Sequence, residues 1–125
     1  MKVLIFILSP TANGGCEVLT LSKSNGKFAI PCIEATENAQ SEILKFSQNL
    51  LNIQNVELLS YLGSKKHLHA YILRTIKAQV EPEQLSRRGC QFNSLNRNLN
   101  NRVQVEAQAF WSLLMDYIQE YMVWE

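Results

Sequence analysis

Three carboxylates, Glu34, Glu37 and Glu42, stand close together in the first half of the chain. Grouped carboxylates are what a hard divalent cation such as Mg²⁺ requires, and a metal site here would use Glu34 and Glu37. The plainer reading makes them solvated acids of a loop and a first helical turn, where the positive end of a helix favours them. His67-x-His69 sets two imidazoles on one face of a strand. A zinc site needs a third or fourth ligand, and none is marked, so a solvated strand face or edge beside Lys65 and Lys66 is preferred. Arg87, Arg88, Arg97 and Arg102 share a stretch with no acid between Glu83 and Glu106, together with Asn93, Asn96, Asn98, Asn100 and Asn101. Guanidinium forks match phosphate oxygens, which makes this segment the best candidate for an anion or nucleotide site; its plain alternative is a solvated polar loop. Cys32 follows Pro31. A reactive thiol needs an electropositive, accessible setting, and with only Lys27 and Lys45 to supply one, Cys32 is expected to be a buried structural residue.

These residues must be positioned by a chain whose order of elements is readable. Val3 to Leu8 is a continuous apolar run, as in a strand covered on both faces. Turn residues occupy Pro10 to Gly15. Glu17 to Ser22 resumes as strand, Asn25-Gly26 signals a hairpin, and Lys27 to Ile30 forms a short strand ended by Pro31. Cys32 to Gln40 reads as loop. Ile43, Phe46, Leu50 and Ile53 then mark one face of a helix over 41–53, widened by Leu44 and Leu51, with Ser41 as its candidate cap. Val56 to Leu62 reads as strand, Gly63-Ser64 as turn, and His67 to Ile76 as strand with Leu68, Ala70 and Ile72 on one face and His67, His69 and Tyr71 on the other. A polar, weakly patterned loop runs from Glu81 to about Val103. A final helix carries Phe110, Leu113, Leu114, Tyr117, Ile118 and Tyr121 at helical spacing, with Trp111, Met122 and Trp124 off that stripe as candidates for an exposed, self-associating surface. Strands with interspersed helices imply an α/β (α+β) domain, a mixed sheet with helices packed on it.

Size and composition agree. A chain of 125 residues with 46% hydrophobic and 18% charged residues suits one globular domain, 1–125. The formal net charge of +1 argues against general nucleic-acid binding. The 3 cysteines, with no Cys-x-x-Cys pair, argue against a disulfide framework and a zinc knuckle. The apolar run in MKVLIFILSP is far too short to span a bilayer and at the short limit for a signal core. It is expected to be a buried strand of a cytoplasmic protein.

Gly26-Lys27-Phe28-Ala29-Ile30-Pro31 followed by Glu37, Lys45 and Ile53 resembles the box region of the Nudix family. There, a hairpin runs into a strand ending Gly-x-Trp-x-Leu-Pro-Gly-Gly, and a loop and helix follow with the pattern G-x5-E-x7-REUxEExGU, U being a bulky aliphatic. Phe28 takes the aromatic position and Pro31 the proline; Glu37 and Lys45 keep the E-x7-R spacing with Lys for Arg; Ile53 falls on the last aliphatic position. The similarity spans most of the chain and implies a Nudix-like mixed sheet. In the family, the helix carboxylates hold divalent cations against a substrate diphosphate. Here Cys32 and Ile33 replace the two glycines, Phe46, Asn49 and Leu50 replace the three helix glutamates, Ser47 and Asn52 replace an aliphatic and the closing glycine, and no acid occurs between Glu42 and Glu57. Phe and Leu cannot ligate Mg²⁺, and Asn offers only a neutral oxygen.

The resemblance with these departures implies a binding or regulatory protein that has lost metal-dependent hydrolysis and needs no cofactor. Its expected partner is a nucleotide or ADP-ribose-like ligand or another protein, with a homodimer as a further expectation from the family. The expected ligand set is Arg87, Arg88, Arg97 and Arg102 with Phe28 and Lys45. The alternative is a Mg²⁺-dependent Nudix-type hydrolase of nucleoside diphosphate derivatives with a relocated site, in which Glu34 and Glu37 meet Glu106 or Glu120. A third reading is an interaction module of unrelated α/β fold, favoured if the 41–53 helix did not follow a strand ending at Pro31.

Overall fold

The computed structural model describes residues 1–12, 14–23 and 26–121, with backbone alone at 97 and 98. Its strands are β1 (Lys2–Pro10), β2 (Cys16–Ser22), β3 (Phe28–Ala29), β4 (Cys32–Glu34), β5 (Glu57–Lys65), β6 (Leu68–Arg74) and β7 (Cys90–Ser94). Its helices are α1 (Ala39–Leu51), α2 (Pro82–Arg87), α3 (Arg97–Asn100), α4 (Val105–Gln108) and α5 (Trp111–Tyr121). The strands form one 7-stranded mixed sheet in the order β3-β2-β1-β6-β5, with β4 added to β1 and β7 to β2. β1 runs parallel to β6 and antiparallel to β2 and β4.

The apolar run of β1 is the centre of the molecule. Val3 to Leu8 are each at most 1% exposed. Leu4, Phe6 and Leu8 face a layer made by Leu99, Val103, Ala107, Phe110, Trp111, Leu114 and Ile118. Val3, Ile5 and Ile7 face a second layer made by Ala39, Ile43, Leu50 and Leu51 of α1, with Val80 and Leu85 from the α2 region. Helices therefore cover both faces of the sheet, which is why β1 lacks the alternation of a half-exposed strand.

Several boundaries differ from the sequence reading, each for a local reason. Cys32 to Glu34 is not loop but strand β4, paired with Lys2 to Leu4. Three residues give too little pattern to announce a strand. α1 begins at Ala39 behind Asn38, so Ser41 lies inside the helix and caps nothing. Its entry is held instead by Glu42, whose Oε2 accepts from the Thr36 N–H at 2.8 Å and from the Thr36 hydroxyl at 2.9 Å. α1 ends at Asn52, which adopts a left-handed conformation (φ 54°) in place of glycine.

Gly63 and Ser64 are not a turn. They belong to β5, where the register against β6 shifts between Tyr61 and Gly63, and Gly63 (φ 122°) takes up the irregularity. The chain reverses at Lys66-His67, both left-handed (φ 50° and 67°), so His67 leaves the strand and does not share a face with His69. The segment 81–103 is not a long loop; it contains α2, β7 and α3. β7 pairs along β2 from Glu17 to Leu21, a long-range pairing that its polar residues Gln91, Asn93 and Ser94 hide. The last helix is split into α4 and α5, and Trp111 is buried, edge-on to Phe6 with ring centroids 6.4 Å apart, whereas Leu113 and Tyr121 are exposed. Met122, Trp124 and Asn25 lie outside the described residues.

Candidate functional site

α1 follows Pro31 through β4, and its inward face is Ala39, Ile43, Ser47, Leu50 and Leu51. Leu50 is 7% exposed within the core, Phe46 is half-buried against the same cluster, and Asn49 is exposed. Ser47 is fully buried and donates its hydroxyl to the Ile43 carbonyl at 2.9 Å, which satisfies a polar group on an otherwise apolar face. The only acid on α1, Glu42, is committed to Thr36. These residues do not fit a divalent cation: none of positions 46, 49 and 50 offers an anionic oxygen, and two of them turn toward apolar neighbours. Among the described residues, no three His, Cys, Asp or Glu side chains gather where a metal could sit.

The two candidate acids separate. Glu34 is on β4, 3.6 Å from the amino terminus. Glu37 precedes α1 and lines a different cavity with Asn38, Ala39, Gln40, Ser41 and Tyr71. Glu106 lies on α4 and Glu120 on α5. His69 is engaged with Tyr61, whose hydroxyl lies 2.8 Å from Nδ1.

The arginines do not form one cluster around Phe28. Arg87 and Arg88 are exposed at the end of α2, on the layer that covers Ile5 and Ile7. Arg102 is in the opposite layer. Its Nε and Nη2 both donate to the Gly26 carbonyl, at 3.0 and 2.8 Å, and its guanidinium covers the Phe28 ring at 4.7 Å. Phe28 is itself 8% exposed, so these two residues close on each other. Lys45 is exposed on α1. The side chain of Arg97 is outside the description.

A cleft that the sequence does not announce lies at the start of β1. It has a volume of about 610 Å³ and is lined by Met1, Lys2, Leu4, Lys23, Cys32, Glu34, Lys66, His67, Leu68, Gln104 and Glu106, within the size range of small-molecule sites. Strand register explains it. Lys2 pairs with Glu34 on one side and Leu68 on the other, and Leu4 pairs with Cys32, so these directly opposed side chains share one face. Lys23 arrives from the end of β2, and Lys66 and His67 from the β5–β6 turn. Left-handed backbone costs a residue with a side chain about 1–2 kcal/mol; Lys66 and His67 carry it where Asn-Gly would carry less, and both reach the cleft.

Gln104 is the strap that closes this end of the fold. Its Oε1 accepts from the Ile30 N–H at 2.9 Å and its Nε2 donates to the Ile30 carbonyl at 3.1 Å. Its amide therefore stands in for a strand partner at Ile30, just past β3, beside the Phe28 N–H, which donates to the Arg102 carbonyl at 2.7 Å.

The charge in the cleft is predominantly positive. Among the described residues, the ammonium groups of Lys2, Lys23 and Lys66 take part in no ion pair or hydrogen bond. Glu34 faces the amino terminus, which also donates to the Ala35 carbonyl at 2.7 Å.

Cys32, expected to be buried, is exposed in this cleft. Partial burial of its thiol raises its pKa, opposed by the nearby Lys2 charge and the Val3 backbone. Burial pushes Cys16 up to about 11 and also raises Cys90. The thiolate is the reactive form, so a raised pKa lowers reactivity at a given pH. Iodoacetamide at pH 8 is expected to modify Cys32 more slowly than a free cysteine peptide, with Cys16 slower still, and both rates rise with pH. Site-resolved mass spectrometry checks the order, and Cys16 reacting first would contradict the burial described.

No known protein-family pattern matches the chain, and no curated protein matches it. Solved structures do. A mutT/nudix family protein from Listeria innocua superposes with a TM-score of 0.67 at 12% identity, covering 99% of this chain and 95% of that one. The Nudix hydrolase RenU from M. smegmatis gives 0.65 at 10% identity, covering 98% and 88%. The C-terminal domain of mouse MUTYH, seen in a complex with human PCNA, gives 0.61 at 13% identity, covering 94% and 88%. The chain thus has the Nudix fold, a mixed sheet between helices. At these identities the likeness carries the architecture and leaves the chemistry to the residues.

Proposed function

We propose that this protein is a Nudix-fold binding protein that does not hydrolyse its ligand, and that it takes a nucleotide or ADP-ribose-like anion in the cleft at the start of β1. The observation that carries the reading is the apolar character of α1 at Phe46 and Leu50, with no acid between Glu42 and Glu57. Metal-assisted hydrolysis uses the cation to stabilise charge and to activate water, and this helix supplies nothing to hold one. The lysine-lined cleft is preferred to the arginine segment because Lys2, Lys23 and Lys66 line one cavity, whereas Arg102 is bound to Gly26 and Arg87 and Arg88 belong to the other layer.

The alternative, a hydrolase with a relocated site, draws on Glu34 and Glu106, which line the same cleft. It lacks Glu37, which lines another. Incubation with Mg²⁺ or Mn²⁺ and a panel of nucleoside diphosphate derivatives decides between them. No turnover above buffer is expected; robust turnover abolished by Glu37→Gln alone would overturn the binding reading. A protein partner is a second reading, favoured by the complex of the MUTYH domain with PCNA and by exposed Leu113 and Tyr121 on α5. The same surface is where a homodimer would form, and light scattering of the purified chain measures it.

A further inference from the structure

We propose that the cleft binds its phosphorylated ligand without a metal ion, Lys2, Lys23 and Lys66 offsetting the phosphate charge, so that Mg²⁺ weakens binding. This rests on the binding reading above and specifies the form in which the ligand is taken. Lys2, Lys23 and Lys66 line one cavity of about 610 Å³ and, among the described residues, make no ion pair or hydrogen bond, so like charges border it while it is empty. A multiply charged phosphate chain removes that repulsion and gains charge-assisted hydrogen bonds.

A Mg²⁺-loaded phosphate is a poorer fit. The ion cancels much of the ligand charge that the lysines attract, and it keeps a shell of water that needs acceptors. The acids available are few: Glu34 is already 3.6 Å from the amino terminus, leaving Glu106 alone. No neighbouring carboxylates complete an octahedron, since the described residues hold no group of three suitable side chains. The lysines come from three separate elements, the first residue of β1, the end of β2 and the β5–β6 turn. A metal-free phosphate chain offers charged oxygens along its length to lysines on separate elements, whereas a single ion offers its charge at one point.

The test is calorimetric titration of the full chain with ATP and with inorganic tripolyphosphate, in EDTA and in excess Mg²⁺ at matched ionic strength. Binding in EDTA is expected to be tighter by about fivefold or more. Lys23→Gln and Lys66→Gln are each expected to weaken it about tenfold, while Lys27→Gln, exposed and outside the cleft, serves as the charge-matched control and changes it little. All three positions are exposed, so folding is expected to be retained and is checked by thermal melting. ATP binding much more tightly than tripolyphosphate assigns the site to nucleotides; equal affinity assigns it to the phosphate chain alone, and both outcomes keep the metal-free site. Binding that requires Mg²⁺ overturns the inference and leaves the binding reading standing. Equal losses in the Lys27 control overturn the site. No binding of either probe under both conditions overturns the reading and the inference together.

Discussion

Leu50→Glu is expected to destabilise the fold by roughly 3–5 kcal/mol at neutral pH, the cost of an uncompensated buried charge, and to create no Mg²⁺ site. The substitution puts back the acid that the box resemblance assigns to this position. Leu50, however, is 7% exposed and packs in the layer shared with Ile43, Leu51 and Leu73. A carboxylate there loses the apolar contacts of the leucine and is pulled out of water without a partner. Burial must raise its pKa above the unfolded value of about 4.3. The folded state then binds the proton more tightly than the unfolded state, so the penalty grows as pH rises above the unfolded pKa and shrinks below it. Urea titrations at pH 4 and pH 7, each against the parent chain, measure the difference. Asn49→Glu, exposed on the same helix, is expected to stay within about 0.5 kcal/mol of the parent. A Leu50→Glu variant as stable as the parent, with a melting temperature raised by Mg²⁺, would mean that this helix face still opens onto a metal site and that the loss of hydrolysis is misread.

Gln104→Ala is expected to cost about 2 kcal/mol and to loosen β3 specifically. Ile30 is 1% exposed, and the Gln104 amide satisfies both its N–H and its carbonyl. Truncation to alanine leaves the part-buried N–H and carbonyl of Ile30 without their partner, and each unpaired group carries a desolvation cost. Gln104→Glu keeps the acceptor for the Ile30 N–H and loses the donor to the Ile30 carbonyl, so an intermediate loss is expected. The distinguishing readout is hydrogen exchange at the Ile30 amide, which should accelerate far more than amides in the middle of β1. Global destabilisation with the Ile30 amide still protected to the same extent as its neighbours would show that the strap is not what holds this strand. Because Gln104 also lines the cleft, the same variant couples the stability of the strand to the shape of the ligand site.

How much of this was legible in the sequence depended on the range of the interactions involved. Local pattern was enough for β1, whose unbroken apolar run reports burial on both faces, and for the body of α1, whose apolar spacing reports one buried face. Composition alone gave the decisive chemical observation, the missing acids between Glu42 and Glu57. Short elements such as β4 carried too little pattern, and β7 was disguised by polar residues because its partner, β2, lies about seventy residues away. The arginine segment stands out because its residues are neighbours in sequence; packing places Arg87 and Arg88 on one face of the sheet and Arg102 on the other.

The cleft was invisible for the complementary reason. Lys2, Lys23, Lys66 and Gln104 are far apart along the chain, and no local spacing relates them. Pairing of β1 with both β4 and β6 brings their elements to one end of the sheet. The sequence by itself determined that α1 carries no acid beyond Glu42, because that is a property of composition and survives any arrangement. Only the tertiary structure decided which cations share a volume, because convergence of charges is set by strand register and turn geometry rather than by order along the chain.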